Sequence, residues 1–298
     1  MKDFTRAAVI AGLVLACGGT LAPAGAQVTI ETPPEAAPFE GGSMQGKAPN
    51  APATSAMTLW VMRHTPRRGE WVTIPVGSVK LHTWIAYPDG TDPRPVVLVM
   101  NGVAGMWDDF PRGLADQLAQ DGFIAVVPDL VSGMGPNGGN WESFGTLELA
   151  VQAHQRVGVQ QALGLLRGAR DYALTLPRAN GKSATLGIAF GGTVSFAAAA
   201  LLPGVNAAVV FDGAAPDTAT LGKITAPVIY FGGALDDRAV ATVGTAAAAL
   251  TKLGKRFEYH IYSETTSEFI AFGVPGNNTR ANAAAWPRAI AFLRANTQ

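Results

Sequence analysis

The sequence predicts an α/β domain with a mostly parallel central sheet and helices on both of its faces. Three observations predict it. From about residue 58 onward, short apolar runs alternate with longer helical patterns. Several runs, among them Val96–Met100 and Phe123–Val127, are apolar at every position, as suits a strand buried on both faces. No internal repeat is present, so the alternation belongs to one continuous sheet rather than to a solenoid.

The elements follow in order. Trp71–Val76 and Val79–Tyr87 read as antiparallel strands around a Gly77-Ser78 turn. Val96–Met100 is a buried strand, followed by a helix over Phe110–Gln120 that ends at Asp121-Gly122. Phe123–Val127 is the next buried strand, closed by Pro128, and a glycine-rich loop covers Ser132–Asn140. Val157–Leu176 has the period of an amphipathic helix. Ala184–Ile188 is a strand, and the small residues of Gly191–Leu202 suit a helix packed close to the sheet. Strands over Ala207–Phe211, Val228–Phe231 and Phe257–Tyr262 follow, with a helix over Val240–Leu253 between the last two and a closing helix over Ala283–Ala295. Sheets of this kind bind ligands at the carboxyl ends of their strands, so the residues just after each strand carry the functional argument.

Composition narrows the function. The chain has 298 residues, 48% of them hydrophobic, enough for a sizeable core. Its 22 basic and 22 acidic residues cancel, so no long-range field draws in nucleic acid or an anionic membrane. The single cysteine, Cys17, lies in an apolar stretch near the N-terminus. Lys2 and Arg6, the apolar Ala7–Ala16, and the small residues Ala24-Gly25-Ala26 read as a signal peptide over 1–26, too short to span a bilayer. Cleavage before Gln27 leaves a protein without cysteine, hence without disulfide or thiol nucleophile, exported to the periplasm or secreted. Val14-Leu15-Ala16-Cys17 also fits a lipoprotein site, which would tether the protein to a membrane through Cys17. Residues 27–57 are rich in Pro, Ala and Gly and read as a linker, leaving 58–298 as the folded domain.

The most informative strand end is Gly187-Ile188-Ala189-Phe190-Gly191-Gly192. It has the glycine frame of a nucleophile elbow, a tight strand–turn–helix that projects its central side chain. Here the central residue is Ala189, whose methyl group cannot attack a carbonyl. Further segments follow other strands: Asn101-Gly102-Val103-Ala104-Gly105, Gly233-Ala234-Leu235-Asp236-Asp237-Arg238, and Tyr262-Ser263-Glu264-Thr265-Thr266-Ser267-Glu268-Phe269.

With these segments and Val126-Val127-Pro128-Asp129-Leu130, the chain from about Trp71 to Leu293 resembles the dienelactone hydrolase family. The resemblance implies an α/β-hydrolase fold and cysteine-based hydrolysis of small carboxylic esters or lactones. It places the family's cysteine at Ala189, and its histidine, from Tyr-Pro-Gly-Ala-x-His-Gly/Ala-Phe, at Ser267. The His-Glu of its first loop falls on Asn101 and Gly102. Only the acid of the triad is kept, at Asp236. The resemblance also implies an oxyanion hole built from the backbone N–H groups of Phe190 and Val103, and no cofactor.

Acyl transfer needs an activated nucleophile and a proton carrier, and triad members act as a unit. Losing three groups removes the family mechanism, as in a natural pseudoenzyme or an inactivated hydrolase. Other residues offer weak substitutes. Ser195 and Thr193 lie within the helix after the elbow and read as packing and backbone-bonded hydroxyls. Ser267 has no neighbouring base. His64, His82, His154 and His260 read as structural, with His154 at a helix start on the surface. Asp237, Glu264 and Glu268 read as solvated loop charges, although with Asp212 and Asp236 they also fit an acidic pocket. Arg238 reads as an ion-pair partner of Asp236 or Asp237, and Trp107 and Phe110 as pocket wall or core. Zinc is not expected, for want of cysteine and clustered histidine. The expected partner is a small carboxylate, ester or lactone, with no nucleic acid. The reading is a hydrolytically inactive, exported protein with a retained pocket. The alternative is an active hydrolase of small esters or lactones using other residues.

Overall fold

The computed structural model describes residues 28–34, 52–53, 55–271 and 277–298. The expected signal peptide, including Cys17, lies outside them. The strands are β1 (Ile30–Glu31), β2 (Gly69–Val76), β3 (Val79–Ala86), β4 (Arg94–Met100), β5 (Ile124–Pro128), β6 (Ala179–Ile188), β7 (Ala207–Phe211), β8 (Val228–Gly233) and β9 (Phe257–Tyr262). The helices are α1 (Ser55–His64), α2 (Phe110–Gln120), α3 (Leu147–His154), α4 (Val159–Ala173), α5 (Phe190–Leu201), α6 (Thr218–Leu221), α7 (Asp237–Lys252) and α8 (Asn277–Thr297).

The strands form one sheet in the order β1-β9-β8-β7-β6-β4-β5-β3-β2. From β1 to β5 every pairing is parallel, and β3 and β2 add an antiparallel edge. The β2–β3 hairpin closes at Val76↔Val79 around Gly77, whose positive φ of 57° suits the tight turn. Strands β4, β5 and β7 are buried almost throughout, because helices cover both faces. On one face Leu163, Leu166, Val194, Phe196, Val243 and Leu250 bring α4, α5 and α7 onto the sheet. On the other, Leu114, Leu118, Trp286 and Leu293 do the same for α2 and α8.

Two described parts of the stretch 27–57 lie on the domain. Ile30 and Glu31 pair with Ile261 and Tyr262 at the sheet edge, and α1 begins at Ser55. Three helices were absent from the sequence reading: α1, α3 and the short α6. The strand order reverses around β4, β5 and β6, and the carboxyl ends of β4, β6, β7, β8 and β9 lie side by side along one rim.

Candidate active site

The rim is built around Ala189. It joins β6 to α5 with φ 51° and ψ −115°, a conformation that an L-residue adopts only under strain of about 1–3 kcal/mol. The turn can form because Gly187 and Gly191, two residues to either side, carry no side chain. A Cβ at Gly191 would overlap the Met100 carbonyl of β4, so only glycine lets α5 start this close to the sheet. The Ala189 N–H donates to Phe211 O at 2.9 Å, and the Gly191 N–H donates to Asn101 O at 3.2 Å. These bonds tie the elbow to β7 and to the loop after β4.

That loop brings Gly102 beside the elbow. A Cβ at Gly102 would sit 3.5 Å from the Ala189 methyl and 2.9 Å from Oε1 of Glu268. The Phe190 and Val103 N–H groups have no acceptor among the described residues. Both flank this point: Phe190 opens α5 and Val103 follows Gly102. The N-terminal end of α5 adds a partial positive charge there. A carbonyl oxygen or an oxyanion is the group such a place accepts.

The acids sort differently from the sequence reading. Asp237, which opens α7, and Glu264 are exposed. Glu268 is not a solvated charge: it is half-buried, with its carboxyl beside Gly102. The spacing of loop residues says nothing about which of them turns inward, and so the sequence missed it. Burial raises the Glu268 pKa; Arg238 opposes the rise, and Asp108 and Asp236 add to it. Glu268 also has a positive φ of 54°.

Asp212, at the end of β7, fixes the loops that carry these groups. It is fully buried, with φ 51°. Its Oδ1 accepts the Gly233 N–H at 3.0 Å and its Oδ2 accepts the Glu268 N–H at 2.9 Å. One carboxyl thereby holds the β8 loop and the β9 loop together. Burial pushes its pKa up to about 7, against the lowering effect of the two N–H donors, with Asp236 and Glu268 adding to the rise. Asp236 sits nearby on the β8 loop, its side chain largely buried and 3.9 Å from the exposed Arg238 guanidinium. Among the described residues, no group of three or more His, Cys, Asp or Glu is placed to hold a metal ion.

Ser267, the expected histidine position, is exposed. Ser195 is structural: it is fully buried, and its hydroxyl bonds with Thr185 Oγ1 at 2.8 Å and donates to Val209 O at 2.9 Å. Thr193 accepts the Ala214 N–H at 2.9 Å, again a structural role. His260 is held by Glu31 and Glu258 at the β1–β9 edge, His82 stacks on Trp71, and His64 stacks on Trp60.

His154 corrects the sequence reading. It ends α3 rather than starting a helix, and it is buried rather than on the surface. Its ring meets the Phe190 ring edge-on at 5.5 Å, and its Cδ2 lies 2.9 Å from where a Gly105 Cβ would stand. It therefore walls the elbow and the β4 loop. Burial pushes its pKa down to about 4, so the ring is neutral at neutral pH. Its Nδ1 has no hydrogen-bond partner among the described residues. The signal that could have found it was Ala150, Ala153 and Val157, whose helical spacing puts His154 near a buried face.

A glycine-framed strand–turn–helix at the centre of a mostly parallel sheet, with an acid on the loop after β8, defines the α/β-hydrolase class. Within that class the family is shown directly: a profile of the dienelactone hydrolase family matches residues 81–297, and the chain belongs to that family. Solved structures share the fold. A Klebsiella pneumoniae subsp. pneumoniae protein assigned to the dienelactone hydrolases superposes with a TM-score of 0.68 at 22% identity, over 77% of this chain and 99% of that one. P91, a dienelactone hydrolase-like promiscuous phosphotriesterase from metagenomic libraries, gives 0.64 at 19% identity, over 78% and 99%. The dienelactone hydrolase of Anabaena variabilis gives 0.60 at 20% identity, over 78% and 100%. No curated protein matches the chain.

Proposed function

We propose that this family member has lost covalent ester hydrolysis and keeps its strand-end pocket for binding a small carbonyl compound. One observation carries the reading. The elbow conformation stands at Ala189, beside two backbone N–H groups without acceptors, yet the side chain it projects is a methyl group. The two hydroxyls in the helix after the elbow, Ser195 and Thr193, are committed to structural hydrogen bonds, which supports the reading. We propose further that the protein acts outside the cytoplasm, on the strength of the signal-peptide pattern in residues 1–26.

The position of Glu268 favours a second reading, an active hydrolase with unconventional residues. Its carboxyl lies next to the elbow, where a general base would act on water.

Hydrolysis of 4-nitrophenyl acetate separates the two readings, run beside labelling with a fluorophosphonate and with iodoacetamide. The first reading expects no turnover above background and no label beyond Cys17, the single thiol. Turnover well above background, lost on Glu268→Gln, replaces it with the second.

A further inference from the structure

We propose that the outer edge of β2, together with a cavity beside it, binds an extended peptide segment that carries a large uncharged apolar side chain. This surface lies on the rim of the sheet opposite Ala189. The cavity is lined by Pro177 and Arg178, just before β6 begins, whereas Ala189 follows the other end of that strand.

Hydrogen bonds show which way each residue of β2 turns. Among the described residues β2 ends the sheet and pairs with β3 alone. In β3 the His82 N–H donates to Ser132 Oγ at 3.0 Å, and its carbonyl accepts the Asp129 N–H at 2.8 Å, so His82 faces away from β2. Direction alternates along a strand, so Leu81, Thr83 and Ile85 face β2. Their partners Ile74, Val72 and Glu70 use their N–H and C=O groups on β3. Arg68 continues the series, its carbonyl accepting the Tyr87 N–H at 2.9 Å. Gly69, Trp71 and Thr73 therefore turn their N–H and C=O groups outward, where they have no partner among the described residues. Pro75 follows in the same series and, lacking an N–H, ends the run of donors. The far edge of the sheet differs, for there the chain itself lays Ile30–Glu31 on β9. An open edge of this kind is a template for one more strand.

The cavity decides what that strand would carry. Pro66, Tyr87, Pro88, Leu176 and Pro177 give it apolar walls, and its volume of about 510 Å³ suits a large side chain. Glu70 and Arg68 also line it. Residues directly opposite in neighbouring strands put their side chains on the same face. A residue opposite Glu70 in an added strand thus points to the face that holds the cavity. The charges on the lining are already answered. Arg68 pairs with Glu70 at 2.9 Å and lies 5.1 Å over the Tyr87 ring, whose hydroxyl donates to Glu70 at 2.8 Å. Arg178 donates to the carbonyls of Pro88 and Asp89 at 2.8 and 3.1 Å, and Asp89 is exposed to water. A charged side chain entering here loses water without gaining a partner, whereas an apolar one buries its surface against prolines and Leu176.

A second copy of the chain fits this surface less well. Two β2 edges paired antiparallel about Trp71 would match Gly69 with Thr73 and place Val72 opposite Glu70. Valine is too small to fill the cavity. So short a ladder alone also buries less than the roughly 1,200 Å² of a stable interface.

The probe is the peptide acetyl-Lys-Thr-Val-Phe-Val-Thr-Lys-amide, titrated into the full chain and followed by shifts and hydrogen exchange of the protein amides. With Phe opposite Glu70, the two Val residues stand opposite Gly69 and Trp71 and turn their amides to β2, while the Phe amide faces away. Binding is expected to shift the Trp71 and Thr73 amides and slow their exchange. Replacing Phe by Asp in the peptide is expected to weaken binding at least about tenfold. N-methylation of the two Val amides should do the same, and N-methylation of the Phe amide should change binding by less than about threefold. Thr73→Pro removes one outward N–H and none of the bonds to β3, and is expected to weaken binding at least about tenfold. Unmoved Trp71 and Thr73 amides overturn the proposal. So does equal binding of the Phe and Asp peptides, or of the two N-methylated forms, or wild-type binding by Thr73→Pro. Should Thr73→Pro fail to fold, the N-methylated pair decides the matter on the wild-type chain. Sedimentation that shows a dimer, dissociated by Thr73→Pro, assigns the edge to a second copy and overturns the peptide reading.

Discussion

Restoring the missing family groups is the sharpest use of this geometry. Ala189→Cys, Ser267→His and Gly102→Glu together return the residues that the family resemblance places at those positions. The structure predicts that this triple variant is hindered by Glu268. A Cβ at residue 102 lies 2.9 Å from Glu268 Oε1 and 3.5 Å from its Cδ, so the two carboxyls would compete for one space. Two carboxylates about 4 Å apart at an effective dielectric of about 20 repel by roughly 4 kcal/mol. Protonation or displacement of one of them relieves part of this. A remaining cost of about 1.5–3 kcal/mol corresponds to roughly a 10- to 100-fold loss of rate. Adding Glu268→Gly removes the competitor and suits the positive φ of 54°. The assay is kcat/KM for 4-nitrophenyl acetate in the triple and quadruple variants. A further variant with Glu268→Gln in place of Glu268→Gly separates charge from bulk. The quadruple variant is expected to be at least about tenfold faster than the triple. A triple variant as fast as the quadruple would show that residues 102 and 268 do not share that space, and the reasoning would fail.

Three predictions concern stability. Asp212 has its pKa raised to about 7 in the folded chain, so its contribution is present below about pH 4 and is lost as pH rises toward 7. The loss is on the order of 4 kcal/mol at most, and Asp212→Asn should flatten it, read as the difference in urea unfolding between about pH 5 and about pH 7.5; an unchanged slope counts against the assignment. His154 runs the other way: its pKa is lowered to about 4, so stability falls as pH drops from about 6.5 to about 4, by on the order of 3 kcal/mol. His154→Phe should remove that acid sensitivity in thermal melts at about pH 4.5 and about pH 6.5, and a variant that melts with the wild-type pH profile would contradict the buried position. Gly191→Ala should cost about 3 kcal/mol, because its Cβ overlaps the Met100 carbonyl, whereas Gly164→Ala in α4 meets nothing within 4 Å and should gain up to about 1 kcal/mol. Chemical denaturation of both variants checks the contrast, and equal effects would refute it.

Much of the fold was legible because its signals are local. Phe110–Gln120 was readable from its apolar period and the Asp121-Gly122 stop, and Ala207–Phe211 and Phe257–Tyr262 from short β-rich runs between turn residues. α3 was not readable, since Leu147 and Leu149 face solvent while Ala150 and Ala153 face inward, which blurs the period. α1 lies partly in a stretch whose Pro and Ala content reads as linker, and its burial comes from α2, where Gly113 packs against Thr58. At the site, the elbow was legible because its glycines recur in a fixed short pattern along the chain, even though Gly191 and Gly192 are demanded by backbone of β4 and of the stretch after β7. Glu268 and His154 were not, because their roles depend on contacts with Gly102, Ala189, Gly105 and Phe190, which are distant in sequence.

The strained backbone is not equally informative everywhere on the rim. Ala189, Asp212, Glu264 and Glu268 all have positive φ, and Asn137 is the other such non-glycine residue among those described. At Ala189 the packing of the fold explains the strain without reference to chemistry. α5 must start against Met100 and β7, and the turn into it follows from that approach whatever side chain residue 189 bears. A persisting elbow therefore says little about present activity. Asp212 and Glu268 lie just beyond the strands, where packing constrains them too: Asp212 follows buried Phe211 and its N–H donates to Phe231 O, and Glu268 precedes buried Phe269 and Ile270, each carrying about 1–3 kcal/mol of strain. A hydrogen bond of their own is added, the buried Asp212 carboxyl accepting the N–H of Glu268, whose own carboxyl lies beside Gly102. Burying Asp212 carries a further cost, in keeping with its raised pKa, and its bond helps to fix Glu268 there. The Asp212–Glu268 pair thus adds to the acceptor-free N–H groups at the elbow a second reason to expect a ligand at this rim.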